Sequence, residues 1–235
     1  MIQIPVVAGV IRRRILVNYR VDPSVIGSML PSSFRPKLVR RQAIGGICLI
    51  RLESIRPAGL PSTIGLASEN AAHRVAVEWD DVDGVRSGVF IFRRDTNSLA
   101  SHWAGGRIFS GEHHLARFTV DDRLDSIDFA MESEGASVRL RARTSIGLPP
   151  GSIFESTEEA SEFLKSGSVG FSRLPEGRLE CVRLDVARWQ VDPLDVDDIH
   201  SSYFDDELRF PRGSVAYDSA FLMRDVVHEW HTLPA

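Results

Sequence analysis

The chain has 235 residues, of which 43% are hydrophobic and 26% are charged. These proportions are typical of a soluble globular protein, and the length fits a single domain spanning residues 1–235. No apolar run is long enough to cross a bilayer and the first ten residues lack a signal-peptide pattern, so we expect a cytoplasmic protein without a membrane partner. A net charge of -4 argues against a nucleic-acid partner.

The N-terminal third predicts strands around one short helix. Arg12, Arg13 and Arg14 precede an apolar segment, and this basic run is typical of a solvated strand entrance. Asp22 followed by Pro23 matches a helix cap with proline at the first helical position, which predicts a helix over 24–30. Residues 40–56 are β-like.

A polar pair lies on an otherwise apolar strand face. In residues 69–79 the odd positions carry Glu69, His73, Val75 and Val77, which share one face of a strand. A carboxylate on an inner face requires a partner. We therefore expect Glu69 and His73 near the interior, with Glu69 paired to a cation or hydrogen-bond donors.

Residues 104–116 have the strongest site-like pattern. Gly105, Gly106 and Arg107 precede an alternating strand, and a glycine passage of this kind delivers polar side chains to a strand start. Phe109 lies within this passage. Alternation places His114 with Phe118 and Val120 on the more apolar face, and His113 on the opposite face.

The remaining sequence adds further strands and one helix. Residues 127–143 alternate as two half-buried antiparallel strands. Ser156 or Thr157 is a helix cap, with the helix ending at Lys165. We expect residues 193–207 to be an irregular acidic surface segment, the apolar phase change in residues 179–186 to mark a β-bulge, and residues 214–227 to form a last strand.

The sequence offers little support for metal or cofactor chemistry. His113 and His114 are neighbours that point to opposite strand faces, so they do not chelate one ion, and we expect no metal. His228 and His231 are interpreted as surface histidines near a terminus. No nucleotide-binding motif is present and no cofactor is expected. Both cysteines are expected to be buried free thiols.

The 104–116 segment resembles the active-site strand of the acetoacetate decarboxylase family, whose Gly-Gly-Arg is followed by Gly-x-Pro-Lys-Lys-Leu-Ala. Gly105-Gly106-Arg107 and Leu115-Ala116 match that pattern, and Glu69 matches a glutamate that faces the catalytic lysine. Both lysines are absent. Counting from Arg107 places His114 at the Schiff-base position and counting back from Leu115 places His113 there; His114 is preferred because its face is apolar.

The resemblance implies a mainly β (α+β) fold, a closed or nearly closed antiparallel β-barrel or double sheet with a few short helices and an internal cavity. It is nearest to an uncharacterised bacterial branch. It implies a small organic ligand, keto acid-like or an apolar carboxylate, contacted by Arg107, His73, Gly106 and Phe109. The alternative is a lysine-independent enzyme that uses Glu69 with His114 or His113 as acid and base. Imidazole forms no iminium with a ketone, so decarboxylation through a Schiff base is not expected. A homo-oligomer remains open.

Overall fold

The computed structural model describes residues 6–99, 113–174 and 177–233. Within these ranges thirteen strands form one mixed sheet. The strands are β1 (Val6–Val21), β2 (Arg35–Pro36), β3 (Leu38–Val39), β4 (Gln42–Pro57), β5 (Leu66–Asp81), β6 (Gly84–Thr96), β7 (His113–Asp122), β8 (Ser126–Ser133), β9 (Ala136–Thr144), β10 (Val169–Arg173), β11 (Leu179–Val186), β12 (Asp192–Ser201) and β13 (Val215–Leu233).

Two short helices are described, and both begin where the sequence predicts. Helix α1 (Pro23–Ser28) starts after Asp22, whose carboxylate accepts a 2.8 Å hydrogen bond from the Ser24 backbone N–H. Helix α2 (Thr157–Lys165) starts after Ser156, whose hydroxyl accepts from the Glu159 backbone N–H. A single 3₁₀ turn covers Ser62–Ile64. These side-chain caps satisfy N–H groups that lack partners at a helix start.

The sheet closes into two rings that share strands. The larger ring follows the pairings β6-β7-β8-β9-β12-β13-β1-β4-β5 and closes because β5 also pairs with β6. The smaller ring runs β6-β10-β11-β13-β1-β4-β5 and closes because β11 pairs with β13. Strands β13, β1, β4, β5 and β6 therefore form a wall between two interiors.

Each ring encloses its own hydrophobic core, and the shared strands contribute to both. In β4, Ile47 and Leu49 belong to the core of the larger ring. The intervening Cys48 and Ile50 belong to the core of the smaller ring. Side chains alternate between the faces of a strand, so a strand buried on both sides is apolar at nearly every position. This accounts for the long apolar runs in the sequence.

The mainly β fold with a nearly closed sheet is confirmed, with one difference in strand direction. Although an antiparallel sheet was expected, β6 pairs in parallel with both β7 and β10. Parallel neighbours need a connection longer than a hairpin. Residues 97–112 provide one between β6 and β7, while the segment between β6 and β10 contains three strands and helix α2.

Three local predictions in the C-terminal half are wrong. The acidic segment is not irregular, because its first part is β12, whose aspartates face arginines of β9 across the ladder. His228 is not a surface residue: it lies in β13 with 1% of its surface exposed. The β-bulge expected in β11 is absent, since its register with β10 and β13 is continuous.

Candidate binding site in the smaller ring

A cavity of about 120 Å³ lies inside the smaller ring. Its wall is mostly aliphatic, with Val89 and Ile91 from β6, Ile50 from β4, and Val182 and Leu184 from β11. These residues supply an apolar surface for the body of a small organic molecule. Polar atoms enter the cavity from a few places only, which is the usual composition of a small-molecule site.

Three arginines project into this apolar cavity: Arg14 from β1, Arg74 from β5 and Arg94 from β6. Each guanidinium makes one hydrogen bond to an uncharged group. Arg14 Nε donates to Cys48 Sγ at 3.3 Å, Arg74 Nη2 to Asn18 Oδ1 at 3.2 Å, and Arg94 Nη2 to Ser172 Oγ at 3.1 Å.

Within the described ranges, no carboxylate forms an ion pair with any of these three guanidinium groups. One buried nitrogen of each guanidinium lacks a hydrogen-bond partner among the residues that the structure describes: Arg14 Nη1, Arg74 Nε and Arg94 Nε. The charge of Glu180 acts on Arg94, but Glu180 does not line the cavity. Asp95 does line it, and its carboxylate is paired with Arg93 at 2.9 Å. Buried charges are normally paired. The described residues therefore compensate these three cations poorly.

The electrostatic consequence is visible in two of the arginines. Burial lowers the pKa of Arg74 to about 10 and that of Arg94 to about 10. Both guanidinium groups stay protonated at neutral pH, so the cavity holds excess positive charge in a medium that screens it weakly. An anion entering the cavity would gain hydrogen bonds and remove part of this cost.

The strand register shows how the polar groups come together. Cys48 of β4 pairs with Ala72 of β5, Ala72 with Arg94 of β6, and Arg94 with His113 of β7. These four residues form a row across neighbouring strands, which lie about 4.8 Å apart. The small side chain of Ala72 lies between Cys48 and Arg94 in this row. Arg74 lies two residues further along the same face of β5.

The two neighbouring histidines face different interiors, and the preference for His114 as the functional one stays a prediction. His113, 7% exposed, lines the cavity because its register partner Arg94 points there. His114 is half-buried and shares its face with Phe118 and Val120, as predicted, but that face packs against the core of the larger ring. The more apolar face of β7 is thus the face that lies away from this cavity.

Glu69 lies inside the larger ring rather than in the cavity of the smaller one. Its Oε2 accepts a 2.6 Å hydrogen bond from Arg13 Nη2. The other terminal nitrogen of Arg13, Nη1, lies 3.3 Å from Asp122 Oδ2. Burial raises the pKa of Glu69, and the charges of Arg13 and Arg51 oppose that effect. Glu69 has the partner that its position demanded, and this partner is Arg13.

His73 also faces the larger ring. It is fully buried, its ring centroid is 4.7 Å from that of Tyr203, and neither ring nitrogen has a hydrogen-bond partner within the described residues. Burial lowers its pKa to about 4, so it is neutral at physiological pH. His73 and Arg74 are neighbours in sequence, but the His73 side chain faces the larger ring and the Arg74 side chain faces the smaller one.

Arg107, Gly106 and Phe109 lie outside the described residues, as does Glu112. Their expected approach to the ligand therefore stays a prediction. His113 is the first described residue after this segment and it lines the cavity.

The residues that create the positive cavity were missed by sequence reasoning. The Arg12–Arg14 run was interpreted as a solvated strand entrance, and this is wrong, because Arg13 is 3% exposed and Arg14 lines the cavity. Only Arg12 is exposed; it pairs with Glu53 and Asp225. The sequence did contain a signal for buried arginines. An arginine within a strand that is apolar on both faces has no solvated face available to it.

Two further properties bear on function. Within the described part of the chain, no helix combines the length and apolarity needed to span a bilayer. Over the same residues, no group of three or more histidine, cysteine, aspartate or glutamate side chains has an arrangement suited to a metal ion.

Known proteins resemble this chain in fold. An acetoacetate decarboxylase from Legionella pneumophila matches with a TM-score of 0.59 and 13% identity, over 97% of this chain and 87% of that one. An acetoacetate decarboxylase-like enzyme from Sphingomonas wittichii RW1 matches with a TM-score of 0.60 and 15% identity, over 100% and 95% of the two chains. The enduracididine biosynthesis enzyme MppR complexed with pyruvate matches with a TM-score of 0.56 and 13% identity, over 98% and 90%.

At these identities the likeness is one of fold, and it agrees with the resemblance carried by Gly105-Gly106-Arg107 and Leu115-Ala116. No curated protein sequence matches the chain. A family model described as an uncharacterized conserved protein, DUF2071, matches residues 10–220. The chain has the acetoacetate decarboxylase-like fold and belongs to the DUF2071 family of uncharacterized conserved proteins.

Proposed function

We propose that this protein binds a small organic carboxylate in the cavity of the smaller ring. The observation that carries the proposal is the set of three guanidinium groups, Arg14, Arg74 and Arg94, that enter an apolar cavity without carboxylate partners among the described residues. A ligand carboxylate would accept hydrogen bonds from nitrogens that now have none. Charge-assisted bonds of this kind are the strong ones.

The cavity volume limits the size of the ligand. At about 120 Å³ it is somewhat smaller than an engineered apolar cavity of roughly 150 Å³ that accommodates benzene. A short keto acid or a short apolar carboxylate is of this size. The aliphatic wall would contact the hydrocarbon part while the arginines hold the acid group.

One comparison supports a keto acid. The solved structure of MppR, which has a similar fold, is described as complexed with pyruvate. Pyruvate combines one carboxylate with a small apolar body, which are the two features that the cavity of the smaller ring would accept. The low identity between the two chains means that this support concerns the type of ligand only.

Schiff-base decarboxylation is not part of the proposal. Neither lysine of the chain lines the cavity. Lys37 Nζ donates to Ser166 Oγ at 2.8 Å and lies over the Phe163 ring, while Lys165 is exposed beside Glu162. His113 stands in the cavity, but imidazole forms no iminium with a ketone.

The alternative function is a lysine-independent enzyme, and the position of His113 favours it. An imidazole in register with Arg94 is placed to move a proton on a carboxylate held by the arginines. Glu69 and His114, proposed from the sequence as acid and base, face the larger ring and would act only on a ligand bound there.

Calorimetric titration with pyruvate, acetoacetate and butyrate, each paired with its neutral amide, tests the binding proposal. We expect the acids to bind and each amide to bind at least about tenfold more weakly, which is about 1.4 kcal/mol. Equal affinity of acid and amide would contradict a guanidinium site.

Two further measurements separate the binding function from catalysis. NMR of the same mixtures reports turnover. If an acid is consumed, the protein is an enzyme and the proposal of binding without catalysis is wrong. Borohydride reduction in the presence of acetoacetate should add no mass to Lys37 or Lys165, because neither is placed in the cavity. A stable adduct on either lysine would restore Schiff-base chemistry.

A further inference from the structure

Cys48 is a nucleophilic side chain that lines the same cavity as the three arginines. It is 8% exposed. Its Sγ accepts the hydrogen bond from Arg14 Nε at 3.3 Å. This contact places a cation directly beside the sulfur.

The other two arginines line the same cavity as Cys48. Negative charge on Cys48 would raise the pKa of Arg74 and that of Arg94, which means that both cations are electrostatically coupled to this side chain. The register explains the coupling, because only Ala72 separates Cys48 from Arg94 along the row. A long side chain can reach across an alanine.

An independent feature indicates that an anion belongs beside this sulfur. Arg74 is 5% exposed, it lines the cavity, and its Nε has no hydrogen-bond partner. A buried N–H of this kind has a strong preference for an acceptor. An anion that satisfies it would be held next to Cys48 by the same group of charges.

Cys181 provides the contrast within the same chain. It is 3% exposed on β11, and its face is opposite to that of Val182 and Leu184, which line the cavity. Burial raises the pKa of the Cys181 thiol to about 11, and no arginine contributes to that shift. Cys181 is thus a buried, inert thiol, whereas Cys48 is a thiol in a positive environment.

We infer that Cys48 is a covalent modification site for small anionic electrophiles, which the arginines of the cavity hold beside its sulfur. In the reaction a bond forms between Sγ and the electrophilic carbon while the bond from that carbon to its leaving group breaks. The leaving group departs with the bonding electron pair, and the thiol proton passes to solvent. The inference rests on the proposed function, because it uses the same anion-binding groups.

Alkylation with iodoacetate and with iodoacetamide tests the inference, because the two reagents differ in charge at nearly equal size. Peptide mapping by mass spectrometry of the native full chain gives the rate at each cysteine. We expect iodoacetate to modify Cys48 at least about tenfold faster than Cys181, in line with the enrichment that a charged cleft provides. Because Cys181 is inert towards both reagents, the contribution of the arginines is given by the ratio of the iodoacetate rate to the iodoacetamide rate at Cys48.

Two controls connect the rate to the arginines. Raising the salt concentration should reduce the iodoacetate rate at Cys48 and leave the iodoacetamide rate unchanged, because only the anion is attracted. Arg14→Met should reduce the preference for iodoacetate, and Arg74 and Arg94 should account for the part that remains. Cys48 reacting no faster than Cys181, or reacting equally with both reagents, would overturn the inference.

Calorimetric titration of the wild-type chain with pyruvate, on the preparation used for alkylation, makes failure of this inference distinguishable from failure of the proposed function. If pyruvate binds but Cys48 shows no selective alkylation in the wild type, the carboxylate site stands and the modification site is wrong.

Discussion

Replacing Arg74 with Met should weaken carboxylate binding without weakening the fold. Arg74 is 5% exposed and its pKa falls to about 10 because of burial. The ordinary pKa of an arginine side chain is about 12.5, and each pKa unit corresponds to 1.36 kcal/mol. Keeping this charge buried therefore destabilises the folded protein by roughly 3 kcal/mol. Met removes the charge and keeps most of the side-chain length.

One contact is lost in the exchange. Arg74 Nη2 no longer donates to Asn18 Oδ1, and a buried acceptor left without a donor costs about 1–3 kcal/mol. The ligand-free variant should therefore be as stable as the wild type or more stable by up to about 2 kcal/mol. For a chain of this length each kcal/mol corresponds to roughly 2–4 °C in Tm. Arg74 is protonated in both the folded and unfolded states near neutral pH, so the difference should not vary between about pH 6 and 8.

Ligand binding should change in the opposite direction. Loss of one charge-assisted hydrogen bond costs about 1.5–3 kcal/mol, which predicts a Kd for pyruvate that is about 10- to 100-fold higher. Thermal unfolding and calorimetric titration measure the two quantities on the same preparation, in a buffer without small carboxylates or phosphate.

Arg13→Met is the matched control because Arg13 is a buried arginine with a carboxylate partner. Removing it leaves Glu69 uncompensated inside the larger ring, and breaking a buried pair costs about 3–5 kcal/mol. We expect its Tm to fall by about 6 °C or more while the arginines of the cavity stay in place. If Arg74→Met lowered Tm as much as Arg13→Met, or left the pyruvate affinity unchanged, the reasoning about uncompensated charge would be refuted.

Three other outcomes are expected. Ala72→Leu should abolish pyruvate binding in calorimetry while the circular dichroism spectrum is retained, because the larger side chain fills the cavity floor; retained affinity would place the ligand elsewhere. Glu69→Ala should lower the free energy of unfolding, measured in urea, by about 3–5 kcal/mol. The control Asp128→Ala, which breaks an exposed pair with Arg141, should lower it by less than about 1 kcal/mol. Equal effects would contradict a buried role for Glu69. Burial lowers the pKa of both His73 and His228 to about 4, so between about pH 6.5 and 4 the unfolded chain binds protons that the folded protein does not. The free energy of unfolding should therefore fall by about 3 kcal/mol for each histidine as the pH drops through this range. A His228→Phe variant whose free energy of unfolding, measured in urea, depends on pH as strongly as that of the wild type would contradict this.

Local signals in the sequence were sufficient for the helices and for most strands. Asp22-Pro23 and Ser156 are side-chain caps whose chemistry acts within one turn, so the start of each helix follows from neighbouring residues. Alternation likewise identified β8 and β9. The mainly β fold, and its likeness to acetoacetate decarboxylase, followed from these elements and from the glycine-rich motif.

The composition of the cavity did not follow from local signals, because it depends on pairing between distant strands. Alternation correctly placed Glu69 and His73 on one strand face, but no sequence signal showed that the opposite face of β5 also has an enclosed interior. Arg74 was therefore assigned to no site. The same limitation led to the preference for His114 over His113, since the apolar face was taken to be the face of the cavity.

Two β-bulges decide which charged residues enter which ring. In β1, Ile11 pairs with Leu52 and Arg13 with Arg51, so Arg12 is an extra residue that reverses the alternation. Before it, Ile11 faces the smaller ring, and after it Arg13 faces the larger ring. Arg14 consequently points into the cavity. An extra residue leaves no signature in an apolar-rich strand, which explains why the basic run was misinterpreted.

The second bulge, in β6, acts in the same way at the opposite side of the cavity. His73 pairs with Arg93 and Arg74 with Ile91, so Phe92 is the extra residue. Continuous alternation from Val89 and Ile91 would have directed Arg93 into the cavity. The bulge instead sends Arg93 to the larger ring, where it binds Asp95 at 2.9 Å, and leaves Arg94 in the smaller ring without a carboxylate partner among the described residues. The bulge thus separates a neutralised arginine from an uncompensated one, and the anion site depends on that separation as much as on the presence of the arginines themselves.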